Sequence, residues 1–163
     1  MESHVKTLND VVIFSSLSKE DLEILKIPFQ RKTLPPKTRI ITQGETGEEL
    51  YIILKGNVNI SRSGAEGSEV FISAIGPGEY FGEAALFSDV QRSAHVTTDE
   101  ECEIMVIART NFVEFLSSHS AVAAKILYSM IKVMFERLEK VNHELQFERK
   151  DAVSQSAIDA MFA

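Results

Sequence analysis

The segment Phe81-Gly82-Glu83-Ala84-Ala85-Leu86, followed after a short polar loop by Arg92-Ser93-Ala94, collects residue types suited to holding a small anionic, hydroxyl-bearing ligand. Gly82 carries no Cβ and lets a ligand approach the main chain. A single helical turn from Glu83 to Leu86 would point free N–H groups toward an anion. Arg92 supplies a permanently charged, two-pronged partner for such oxygens, and Ser93 adds a hydroxyl donor. Glu83 is out of place beside an anion, but its carboxylate suits a different part of the ligand, as acceptor for a hydroxyl such as that of a ribose. A plain surface ion pair between Glu83 and Arg92 explains the same two residues, and residue chemistry alone favours that simpler reading.

Little else in the chain is arranged for chemistry. His4, His95, His119 and His143 are scattered singly, which fits surface or locally satisfied imidazoles better than metal ligands. Cys102 is the only cysteine, so neither an intrachain disulfide nor a cysteine-based metal cluster can form. It reads as an ordinary strand-border residue, and no nucleophile and base stand together. No catalytic residue, no metal site and no enzyme are expected, and a small metal-dependent β-barrel enzyme lacks its clustered histidines.

The elements that must position the segment can be read from turns and periodicity. Ser18 stands before Lys19-Glu20-Asp21 as the N-cap of a short helix, within a run from Leu8 to Leu25 that suggests short helices. Pro28, Pro35 and Pro36 then interrupt helical structure. Short apolar runs follow at Arg39 to Thr42, Leu50 to Leu54, Val58 to Ser61, Val70 to Ile75, Ala94 to Thr97 and Glu103 to Ile107, mostly separated by glycine-bearing turns. They predict closely spaced antiparallel strands in a compact roll or barrel, hence an α+β fold.

From Ala121 to about Arg149 there is neither glycine nor proline, which predicts a long helix. Within it Leu127, Ile131, Met134, Leu138, Val141 and Leu145 repeat as a heptad seam, with Ile131, Leu138 and Leu145 at a. A parallel dimer in that register faces Glu144 toward Arg149 of the partner. The alternative, a stripe packed on the chain's own β-domain, explains the first half of the helix well but Val141 and Leu145 poorly, because a straight helix has by then run about 30 Å from its start. The domains are therefore 1–120, a roll with N-terminal helices; 121–150, the helix, expected to form a homodimer through 121–149; and 151–163, a flexible tail.

Composition sets limits. A net charge of -7 and a pI near 5.1 argue against a surface that grips nucleic acid phosphates. The start of the chain lacks the pattern of a secretory signal, no stretch approaches a membrane span, and a single cysteine suits a reducing, cytoplasmic setting.

The stretch Phe81 to Leu86, then Arg92-Ser93-Ala94, resembles the phosphate-binding cassette of cyclic-nucleotide-binding domains, as found in the catabolite activator protein and protein kinase A regulatory subunits. Ile40-Ile41-Thr42-Gln43-Gly44-Glu45, Leu50-Tyr51-Ile52-Ile53-Leu54-Lys55-Gly56 and Ile13-Phe14-Ser15-Ser16-Leu17-Ser18 resemble other parts of that pattern, and the likeness runs from about Leu8 to Leu138. It implies a jelly-roll-like antiparallel β-roll flanked by short N-terminal helices and a long C-terminal helix. By position it makes Glu83 the acceptor for the ribose 2'-hydroxyl, with main-chain contacts from Gly82 and Ala84 beside Phe81 and Ala85. Arg92 and Ser93 hold the cyclic phosphate. Ser93 permits cAMP and does not exclude cGMP.

The helix after the roll covers the base in this family, which points to Met134 and Leu138 as an apolar cap and Arg137 as an edge or face contact; seam and solvated flank are the equal alternative. The implied function is a non-enzymatic sensor that changes the packing of the long helix and signals to an unidentified downstream protein or domain. Only Lys150 to Ala163 follow that helix, too few for a helix-turn-helix, so direct nucleic acid binding is not expected. A sensor cut from a longer regulator with an enzymatic or DNA-binding output, or a ligand-free scaffold, are the alternatives.

Overall fold

The apolar runs in the middle of the chain close into two four-stranded antiparallel sheets in the computed structural model. It describes residue 5 and residues 7–161, the side chains of residues 66 and 144–161 excepted. One sheet has the order β1 (Gln30–Leu34), β8 (Cys102–Ala108), β3 (Glu49–Lys55), β6 (Tyr80–Phe81). The other has the order β2 (Arg39–Ile41), β7 (His95–Thr98), β4 (Val58–Ser63), β5 (Glu69–Ile75). The chain thus has the expected α+β architecture, a β-roll with helices.

Strand β3 shows why an unbroken apolar run is a strand here. Leu50, Ile52 and Leu54 face the helices, together with Met105 and Ile107 of β8. Ile53 and the partly buried Tyr51 face the space between the sheets, with Phe81, Val96, Ile104 and Val106. Both faces are covered, so the polar half of the usual alternation disappears. Two strands were not foreseen. β1 is flanked by Pro28 and Pro35, is mostly exposed and pairs only with β8 at the sheet edge, where flanking prolines do no harm. β6 spans only Tyr80–Phe81, too short to show a period.

Ser18 caps α1 (Lys19–Ile24): its Oγ accepts from the Asp21 N–H at 3.2 Å, and Asp21 Oδ2 accepts from the Ser18 N–H at 2.9 Å. A one-turn helix, α2 (Ala84–Phe87), follows β6. Helix α3 (Arg109–Ser118), which the sequence reading absorbed into the end of the roll, buries Phe112 and Phe115 against the first sheet. Helix α4 then runs from Ser120 to Met161, so its main chain continues past residue 150, where the reading placed a tail. The side chains of Glu144, Leu145 and Arg149, on which the expected seam contact and pair rest, lie outside what is described, and His4 lies outside the described residues.

Helix α4 has two apolar faces. Val122, Ile126 and Met130 are buried against the helices and first sheet. Ile131, Met134, Leu138 and Val141 are each about half exposed, at 49–53%. Lys125 donates to Asp21 at 2.5 Å, and the Ser16 and Ser129 hydroxyls meet at 2.9 Å, fixing the start of α4 to the N-terminal segment. No helix among the described residues is long and apolar enough to cross a membrane.

Candidate functional site

Gly82 occupies the bend between β6 and α2 because no other residue fits. Its φ is +81°, and a Cβ there would lie 2.7 Å from Arg92 Nη1 and 2.9 Å from the Glu49 carbonyl oxygen. The turn that follows bonds Ala85 N–H to Gly82 O and Leu86 N–H to Glu83 O. The amides of Glu83 and Ala84 take no part in those bonds. The Glu83 side chain makes no capping bond, so its carboxylate is free for other partners.

Arg92 is held at both ends. Its main-chain N–H donates to Glu45 O at 2.8 Å, and its carbonyl accepts from Gly44 N–H at 2.9 Å. The side chain is 7% exposed. Nη1 donates to Gly82 O at 3.0 Å, and Nη2 to Glu49 O at 3.1 Å and Glu49 Oε2 at 3.4 Å. The guanidinium lies 5.7 Å from the centre of the Tyr51 ring, which itself stacks on Phe81 at 5.0 Å. Burial pushes the Tyr51 hydroxyl above its ordinary pKa; the charge of Glu49 adds to this and Arg92 opposes it. Gly47 closes the other side, where a Cβ would come within 2.5 Å of Nη2. These bonds leave Nε–H and a second Nη1–H of Arg92 unused.

Glu83 and Arg92 therefore do not form the simple ion pair that their sequence proximity allowed. Arg92 pairs with Glu49, whereas Glu83 accepts from Arg137 of α4 at 3.2 Å. Arg137 also donates to Tyr80 O at 2.7 Å and lies 4.8 Å over the Tyr80 ring. Burial pushes the Tyr80 hydroxyl up to about 12, with Arg137 opposing and Glu83 reinforcing. That hydroxyl faces the Met130 carbonyl at 3.4 Å, a second link between cassette and α4. Arg109 secures the far end of α2: it donates to Ala85 O at 2.5 Å, Ser88 O at 2.9 Å and Asp89 at 2.5 Å.

The result is a cleft of about 320 Å³ that brings together Phe81, Gly82, Glu83, Ala84, Ala85, Arg92, Ser93 and Arg137. Met134 and Leu138 do not line it. They border a neighbouring apolar groove of about 470 Å³ along α4, which shares Glu83 and Arg137 with the cleft. Ala94, the last residue of the Arg92-Ser93-Ala94 motif, and Ile41 of β2 also line the cleft, and Ile60, Val90, Gln91 and Val96, to which the sequence assigns no role in the site, complete its wall. Glu49 and Tyr51 are likewise assigned none, although their i, i+2 spacing puts both on the face of β3 opposite Leu50. One pocket thus presents a buried cation, a carboxylate and spare main-chain donors beside an apolar wall, a set chemically suited to an anionic ligand that also carries hydroxyls. Among the described residues no cluster of three or more His, Cys, Asp or Glu is placed to hold a metal ion.

Comparison with known proteins agrees with this geometry. A family model described as the cyclic nucleotide-binding domain matches residues 31–119. The chain is 29% identical over 133 residues to the cyclic AMP receptor protein of Thermus thermophilus, covering 82% of this chain and 60% of that protein. It is 32% identical over 139 residues to the cAMP-activated global transcriptional regulator Vfr of Pseudomonas aeruginosa, covering 83% and 63%. The regulatory domain of Toxoplasma gondii PKA, solved with cAMP, superposes with a TM-score of 0.58 at 33% identity, covering 66% of this chain and 41% of that one. The chain spans about three fifths of the length of the two curated relatives.

Proposed function

We propose, from the premise that the chain belongs to the cyclic nucleotide-binding domain family, that its cleft takes up cyclic AMP, with cyclic GMP the second choice, and that it signals occupancy through α4 without catalysing a reaction. The observation that carries this reading is the separation of charges in one cleft. Arg92 is buried and positioned by Glu49 and Gly82, while Glu83 lines the same cleft with a partner of its own on α4. A cyclic phosphate would take the unused Arg92 donors, the Ser93 hydroxyl and the free amides of the α2 turn. The ribose 2'-hydroxyl would donate to Glu83, whose two oxygens can serve it and Arg137 together. Support for cyclic AMP comes from relatives whose names specify it.

Arg137 makes α4 part of the site. A ligand that binds better when α4 is docked favours that arrangement by its difference in affinity. In the base-binding role, Met134 and Leu138 close over the ligand from the adjoining groove, with Arg137 at its edge. The half-exposed seam of Ile131, Met134, Leu138 and Val141 supports a homodimer through 121–149. The recipient of the signal is a downstream protein or domain; the names of the regulators favour a transcriptional output carried outside the region shared with this chain. The acidic composition favours no direct nucleic acid contact by this chain, and the lone buried thiol of Cys102 a cytoplasmic setting.

Calorimetric titration with cyclic AMP and cyclic GMP tests the reading. Saturable one-to-one binding that Glu83→Ala weakens is expected; no heat with either nucleotide at millimolar concentration would overturn it.

A further inference from the structure

We propose that His95 is a positioning residue: its uncharged imidazole anchors the loop that holds Arg92, so that nucleotide affinity falls when the ring takes up a proton. This rests on the nucleotide reading above. His95 begins β7 and is 8% exposed. Its Nδ1 lies 3.0 Å from the main-chain nitrogen of Gln43, and its Nε2 lies 3.0 Å from Ser63 Oγ. A main-chain N–H can only donate, so Nδ1 must be the bare nitrogen and the ring proton sits on Nε2, directed at the serine oxygen. Ser63 in turn donates its N–H to Gln43 Oε1 at 2.9 Å. Gln43 is thus fixed by main chain and side chain at once.

The residues after Gln43 are those that hold Arg92. Gly44 N–H donates to the Arg92 carbonyl, Glu45 O accepts from the Arg92 amide, and Gly47 packs against its guanidinium. The 43–47 loop is therefore the backing of the buried cation, and His95 is its side-chain anchor at the leading end. Protonating the ring places an Nδ1–H against the Gln43 N–H. Two donors then face each other, the bond is lost, and a part-buried amide has no acceptor. The nearby charges come from the same sheet. Glu69 of β5 is held below the usual carboxylate range by Arg39 of β2, then by the Ser61 hydroxyl of β4, with His95 a smaller influence. Glu69 and Arg39 are thus the charged pair nearest the ring. By reciprocity, whatever the proton does to the nucleotide, the nucleotide does to the proton.

The test is calorimetry with cyclic AMP at pH 8.0 and pH 5.5, on the wild type, His95→Asn and His95→Ala, with thermal unfolding to confirm that each variant folds. The wild type is expected to bind at least about tenfold more weakly at pH 5.5, within the usual span of coupling between two sites. Asparagine offers an oxygen near the Nδ1 position without a titrating group, so its affinity should be the same within twofold at both pH values. Alanine, which leaves Gln43 unanswered, should be weak at both. Independently of any nucleotide, ring nitrogen NMR at pH 8.0 should find the His95 proton on Nε2. A wild-type affinity that differs less than twofold between the two pH values, an equal loss in the asparagine variant, or a proton on Nδ1 would overturn the inference. Absence of binding at pH 8.0 would instead overturn the nucleotide reading, and this inference with it.

Discussion

Replacing Arg92 by lysine keeps a positive charge in the cleft and removes the fork. The guanidinium donates to Gly82 O and Glu49 O and lies against Tyr51. An ammonium on a flexible stem cannot span both carbonyls and still present two parallel donors to a phosphate. Losing one charge-assisted bond to the ligand costs about 1.5–3 kcal/mol, which weakens nucleotide binding roughly 10- to 150-fold. The contrast is read in thermal unfolding with and without cyclic AMP. At a nucleotide concentration 100 times its dissociation constant, the wild type gains about 2.7 kcal/mol. At that same concentration a variant bound 100-fold more weakly gains only about 0.4 kcal/mol. For a chain of this size that means a melting shift of roughly 5–11 °C against about 1–2 °C. The empty variant should also melt lower than the empty wild type, because two carbonyls lose a donor. If the variant melted lower yet bound cyclic AMP within threefold of the wild type, Arg92 would be a structural residue and the clamp reasoning would fail.

Three other perturbations probe other links. Gly82→Ala forces a Cβ into a left-handed backbone at a cost of about 1–2 kcal/mol, and that Cβ would also meet Arg92 and the Glu49 main chain; a lower melting temperature together with lost nucleotide binding is expected, and unchanged calorimetric affinity would count against the described turn. Leu138→Glu, on the half-exposed seam of α4, should convert a dimer to monomers in sedimentation equilibrium while leaving the melting of the roll within a few degrees; a wild type that is monomeric at high micromolar concentration rules out the seam as an interface. Asp21 is held below the usual carboxylate range first by Lys125, then by the Ser18 amide. A carboxyl depressed by folding contributes stability above its unfolded pKa and loses it as pH falls through the folded value. Urea unfolding of Asp21→Asn should therefore show lower stability than wild type at pH 7 and a smaller loss below about pH 4; parallel pH profiles would refute the bridge.

How much of this could be read in advance depended on whether one side chain or several carried the signal. The cassette was legible because Gly82, Glu83 and Arg92 sit close together and each has a distinct chemical use. Their partners were not. Glu49 and Tyr51 stand more than 30 residues before Arg92, and only the pairing of β3 with β6 brings them under it. The ion pair suggested by the spacing of Glu83 and Arg92 is replaced by two others, Glu49 with Arg92 and Glu83 with Arg137, because the sheet and α4 supply nearer partners. Strands with an apolar run were found, covered or, like β5, largely exposed, whereas β1 and β6 escaped, one being polar and at an edge and the other only a single residue pair. His95 looked like one of four scattered histidines. Its partners Gln43 and Ser63 come from two other strand ends, and no local pattern announces them.

The Arg137 contacts also limit what the switch can draw upon. Arg137 and Glu83 are both partly exposed, at 35% and 23%, so their pair is worth at most about 1 kcal/mol, a factor of roughly five in any equilibrium of α4. The Tyr80 carbonyl and ring contacts add about 1 kcal/mol each. Moving a helix from 1:99 to 99:1 takes about 5.5 kcal/mol. The latch therefore biases α4 without supplying the whole difference. The seam can supply it: Ile131, Met134, Leu138 and Val141 each keep about half their surface in solvent, and covering the remainder yields about 1 kcal/mol apiece, doubled when two copies bury the same face. On the proposed reading, then, nucleotide and Arg137 set the angle of α4, while burial of the seam makes that angle decisive. A sensor built this way should switch steeply only at protein concentrations where the seam is paired.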